Sequence, residues 1–141
     1  FKKDIILKEN IFFDKKLNYF GMGEDQLFFS KLSKFGYKIV WSENIRVYEK
    51  IHLHRNSSKW IKSRSFRLGI LGHYIDQNLK GKFLGFIINY IKFFYYLFYS
   101  VLFLLLIFKK NNYHKFLNFL FRAFGRLVGP FVFRNIKFYK K

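Results

Sequence analysis

Glu24 and Asp25 are adjacent carboxylates at a point where this sequence could carry out chemistry. Two glycines, Gly21 and Gly23, lead into them, and apolar residues follow at Phe28, Leu32 and Phe35. That i, i+4, i+7 spacing is one face of a helix, predicted over Gln26–Phe35, with Gly36 as the residue that stops it. The pair therefore stands at a helix N-terminus, at the mouth of a glycine-containing loop. A carboxylate there can cap free backbone N–H groups, which is the commonest use of an acid in that position. It can also take a proton from a bound hydroxyl, because the positive end of the helix dipole suits an ionised group. This stretch alone leaves both uses open.

The elements around the pair read as a mixture of short strands and helices. Asp4–Leu7, Lys38–Trp41 and Ile45–Glu49 have strand-like composition, the last two separated by a turn at Ser42-Glu43-Asn44. Asn56, Ser57 and Ser58 supply N-cap candidates for a helix reaching about Asn78. On that helix Trp60, Arg64 and Arg67 recur at i, i+4, i+7, within an arc of about 60° at ~100° per residue. Arginine forks grip phosphate oxygens in pairs, although basic helix faces more commonly meet solvent or lipid headgroups. His52 and His54 alternate as two metal ligands on a strand can, and as two surface residues also can.

Order and spacing together give a resemblance. Gly23-Glu24-Asp25, the Leu32 to Gly36-Tyr37 helix end, Val47-Tyr48-Glu49 and the series Arg55, Trp60, Arg64, Arg67-x-Gly69 resemble the C-terminal half of the catalytic domain of family-2 glycosyltransferases. The match covers roughly the first half of the chain. Arg122-Ala-Phe-Gly-Arg126-Leu-Val-Gly129 resembles the tail of membrane-associated bacterial members. The resemblance implies an α/β fold. Residues 1–82 would be the acceptor-side portion of a GT-A, Rossmann-like domain, and residues 83–141 a pair of membrane-associated helices with a basic tail.

It also implies roles. Asp25 would be the general base of an inverting transfer, and Glu24 would position acceptor or metal. Arg55, Trp60, Arg64 and Arg67 would face the donor diphosphate and the acceptor. Glu49 falls where the family places a metal-binding histidine, and a carboxylate oxygen suits Mg²⁺ or Mn²⁺. The partners implied are a nucleotide-sugar donor, a glycan or lipid-linked acceptor and membrane lipids. The family's Asp-x-Asp metal motif is not in the sequence. The chain opens on Phe1 and its one methionine is Met22, so the expectation is the downstream part of a longer enzyme, inactive without its donor-binding half.

Charge separates the chain into two regions. Lys and Arg number 27 against 8 acids, a net +19, and every acid lies at or before Asp76. Such a balance favours anionic partners: lipid headgroups, phosphates or nucleic acid. Nucleic acid is disfavoured because the aromatics concentrate in an apolar run, whereas stacking platforms interleave aromatics with cations. The absence of cysteine excludes disulfides and thiolate metal sites.

The apolar run is 83–108, interrupted by one charge, Lys92. Its eighteen Leu, Ile, Phe and Val residues contribute roughly −5 to −11 kcal/mol on an insertion scale, against about +3 for the lysine. A polar turn at 109–115 leads to a second helix predicted over 116–133, with Arg122 and Arg126 near its middle. Those arginines oppose insertion by about 5–7 kcal/mol if they face lipid. The sequence favours a spanning hairpin over an interfacial pair, with Gly125 and Gly129 packed on the first of its two helices. The catalytic part would lie at the cytoplasmic face of a bacterial inner membrane. A small basic membrane protein without chemistry is the main rival, with a nucleic-acid-binding module behind it.

Overall fold

The computed structural model describes residues 3–40, 42–50, 52–109 and 112–135. They form α1 (Lys3–Glu9), α2 (Glu24–Lys34), α3 (Ser58–Lys80), α4 (Lys82–Leu105) and α5 (Asn112–Asn135). Two 3-10 turns, Lys15–Phe20 and Leu53–Asn56, complete the regular structure. The chain divides into two compact units, Phe1–Lys50 and Ile51–Lys141.

The α/β expectation is overturned. No strand or sheet occurs among the described residues, and the architecture is all-α. Asp4–Leu7, expected as a strand, lies inside α1. There Asp4 and Lys8 stand four apart, and Ile5 and Ile6 pack on Ile11, Phe28 and Leu32. Residues 38–40 and 45–49 have strand composition but no neighbouring strand, and Trp41 lies outside the described residues. Val40, Val47 and Tyr48 are 82, 88 and 89% exposed. A strand gains its hydrogen bonds from a partner, and a short run without one has nothing to hold it extended in a ladder.

In the first unit, α2 buries Leu27, Phe28 and Leu32, and Phe13 stacks on Phe28 at 4.5 Å. Its end is a Schellman closure. Tyr37 N–H donates to the Leu32 carbonyl at 3.2 Å and Gly36 N–H to Ser33 at 3.0 Å. Gly36 has φ +86°, which a side chain would resist. Tyr37 then donates its hydroxyl to Glu9 Oε1 at 2.8 Å, tying α1 to the end of α2.

The second unit is a three-helix bundle in which α5 packs along α3 and against α4. The α3–α5 seam is glycine-lined. A Cβ on Gly69 would come 2.3 Å from the Arg122 carbonyl oxygen, and one on Gly125 would come 2.1 Å from that of Phe66. Gly129 rests on His73 and Ile70. The Gly125-x-x-x-Gly129 pair therefore packs on α3, where the sequence had pointed to the 83–108 helix. α4 is long and apolar enough to cross a membrane, by length and composition. Its buried side carries Gly85, Asn89 and Ser100, small or polar residues that admit its neighbours. Its other side leaves Phe83, Phe86, Ile91, Phe94, Phe98 and Leu105 exposed.

Candidate functional site

The candidate site residues fall into both units: Glu24, Asp25 and Glu49 in the first, Arg55, Trp60, Arg64 and Arg67 in the second. Glu24 and Asp25 are the first two residues of α2, which starts two residues before the predicted start at Gln26. Gly23 takes the N-cap position at φ +91°, so no side chain caps the helix. Asp25 is exposed, and its Oδ1 accepts the N–H of Gln26 at 2.7 Å. Glu24 is half-buried, and its Oε2 has no hydrogen-bond partner. The two acids are thus side by side, one open to solvent and one turned partly inward. Proton exchange with a bound hydroxyl is within the reach of Asp25, and orientation of a donor group within that of Glu24.

In the second unit Ser57 starts α3. Its Oγ accepts the N–H of Trp60 at 3.2 Å and donates to the His54 carbonyl at 2.7 Å. That cap fixes Trp60 in the first turn, and Arg64, four residues on, lays its guanidinium 5.0 Å from the indole centre. His54, Ser57, Lys59, Trp60 and Ser63 line a shallow cleft of about 300 Å³. Arg67 follows on the same stripe, half-buried, and Arg55 is half-buried in the preceding 3-10 turn. The arrangement offers an indole with the Arg64 guanidinium over its ring, suited to an anionic group.

His52 and His54 stack at 5.7 Å in the exposed stretch before α3. Among the described residues no group of three His, Asp or Glu side chains comes together. Glu49 is exposed on the segment of residues 42–50. Glu49 by itself supplies one of the roughly six oxygen ligands a divalent ion takes, and the resemblance places the ion's main ligands in the donor-binding half.

Sequence reasoning missed a buried polar cluster in the bundle. Asp76 of α3 pairs with Arg126 of α5 and with Lys92 of α4, whose Nζ lies 2.7 and 3.0 Å from the two carboxylate oxygens. Gly72 makes the room, since a Cβ there would meet the Arg126 guanidinium. The Arg122 and Arg126 guanidinium carbons sit 5.8 and 6.0 Å from the Tyr96 ring centre. Asn89 donates to the Arg126 carbonyl at 3.0 Å. That is the carbonyl left without its helical partner by Pro130, which has no N–H to give. The signal for this cluster was in the charge pattern: Asp76 is the last acid before a wholly basic remainder.

His73 stands beside the cluster, buried. Burial, and then the nearby Arg126 charge, hold its imidazole below the ordinary value of 6.5, while Asp76 and a hydrogen bond with Asn89 pull the other way. Compared with family models, with curated proteins and with solved structures, the chain matches none.

Proposed function

We propose that this chain is the C-terminal, membrane-associated part of an inverting glycosyltransferase similar to family 2. The enzyme would move a sugar from a nucleotide-sugar donor to a glycan or lipid-linked acceptor at the cytoplasmic face of a bacterial inner membrane. The observation that carries the reading is Gly23-Glu24-Asp25 at the start of α2, with Asp25 exposed and not used as the N-cap. In the transfer, Asp25 takes the proton of the acceptor hydroxyl. The freed oxygen bonds to the anomeric carbon as the bond from that carbon to the diphosphate breaks. The electron pair leaves on the nucleoside diphosphate, the group whose recognition the resemblance assigns to Arg55, Trp60, Arg64 and Arg67.

Asp25→Asn in the transferase should retain the helical fold and nucleotide-sugar binding while turnover drops by roughly 10²–10⁴, the usual worth of a general base. Turnover equal to the parent would overturn the assignment. A non-enzymatic basic membrane protein is the second reading, favoured by the Asp76 cluster, which commits the bundle's buried charges to packing. Under it Asp25→Asn is silent.

A further inference from the structure

The reading that α4 engages a membrane leaves its orientation open, and the position of α3 bears on that question. Seen alone, α4 and α5 form a hairpin that could cross a bilayer. In the folded unit α3 runs beside α5 along most of that hairpin. Phe66 and Gly69 lie against Gly125, and His73 against Gly129. The Lys62 ammonium is 5.7 Å from the ring of Phe121, nearly halfway along α5. The basic first half of α3, with Lys59, Lys62 and Arg64, is therefore level with the body of the hairpin. A hairpin that crossed the bilayer would draw these three cations toward hydrocarbon depth. Asp76 is already engaged by Lys92 and Arg126, and from residue 51 onward it is the one acid against seventeen Lys and Arg. No carboxylate remains in the unit to neutralise them.

A different placement keeps these cations out of the hydrocarbon. The inward side of α4, with Gly85, Asn89, Tyr96 and Ser100, holds α3 and α5. At about 100° per residue, its exposed apolar residues cover roughly half the helix circumference, and none is charged. α5 adds an exposed strip of Phe124, Leu127 and Phe131. Such a surface sits at the headgroup–acyl boundary, with apolar side chains down and cations at headgroup level.

We propose that the second unit lies in the plane of an anionic bilayer surface, with the α4–α5 face embedded and α3 riding above it among the headgroups, rather than crossing the membrane. The partner is a bilayer bearing anionic lipid, and the attraction of several Lys and Arg to it adds to the apolar contact.

The test uses the full chain, reconstituted from detergent so that both placements are accessible. The native sequence lacks cysteine, so single cysteines at the exposed positions Phe86, Phe94, Phe98 and Leu105 can each carry a bimane probe. All four should be quenched equally by a spin label near the lipid headgroup and little by one deep in the acyl chain. Deep quenching at Phe94 with shallow quenching at Phe86 and Leu105 marks a spanning helix and overturns the proposal. Flotation should be about tenfold stronger or more with vesicles containing anionic lipid than with neutral ones, and Lys59→Glu with Arg64→Glu should erase that difference. Equal flotation on both vesicle types overturns the anionic partner. No flotation on either overturns the membrane reading itself, and with it this placement.

Discussion

Asp76 holds the buried charge of the second unit in balance. It is one carboxylate shared by two cations, Arg126 buried and Lys92 partly open to solvent. Asp76→Asn should destabilise the unit by about 3–5 kcal/mol, because it leaves a buried guanidinium without its counter-charge. Lys92→Met should cost far less, since that side chain keeps two-fifths of its surface exposed. Chemical denaturation of the two variants in one detergent measures the difference. His73, next to this pair, gives a pH signature. Its folded pKa lies below 6.5, so the neutral ring is favoured on folding. That contribution is complete above the unfolded value and is lost as pH falls through the lower folded one. Melting temperatures should therefore decline from about pH 6.5 downward, and His73→Gln should flatten that part of the slope.

Among the elements, the α3–α5 seam is the least tolerant of change. At Gly69 the obstructing atoms are backbone, the Arg122 carbonyl and the Gly125 Cα, and backbone does not rotate aside as a side chain does. Gly69→Ala should destabilise the bundle by about 3 kcal/mol, the upper end of the overpacking range. Ser63→Ala, exposed on the same helix, should stay within about 0.5 kcal/mol. Thermal melts of both variants check this. The sequence read the helices well where their signals are local: Gly36 as the stop of α2, Asn56, Ser57 and Ser58 as cap candidates for α3, of which Ser57 is the cap, and the long apolar run of α4. It misread Asp4–Leu7 and the segments after Gly36, because a short apolar run is the same signal for a strand and for a helix or loop. What decides is a partner that periodicity cannot see. The arginines of α5 looked like a liability for the same reason. Arg126 is relieved by Asp76, fifty residues away, and Arg122 lies against the Tyr96 ring, pairings that no spacing rule joins. The acidic pair at the head of α2 was legible because glycine, acid and apolar stripe are neighbours in the chain.

At the scale of the whole molecule, the C-terminal end of the first unit is open. Residues 42–50 are exposed throughout and carry no regular structure, and Lys38 is exposed too. Limited trypsin digestion should cut first at Lys38, Arg46 or Lys50 and leave the bundle intact, as mass spectrometry of the early fragments would show. A first cut within α3 would contradict this division. The glycine seam also sets an order of events during synthesis. Gly69 and Gly125 touch across 56 intervening peptide bonds, so α3 emerges from the ribosome well before the helix that covers it. At translation speeds of about 5–20 residues per second that interval is roughly 3–11 s. For roughly the last third of it α4 is complete, with its apolar side uncovered and α5 still to come. If the unit engages a bilayer as proposed, the nascent α4 is able to meet lipid before it meets α5, and α5 would then close the bundle on a surface that lipid already covers.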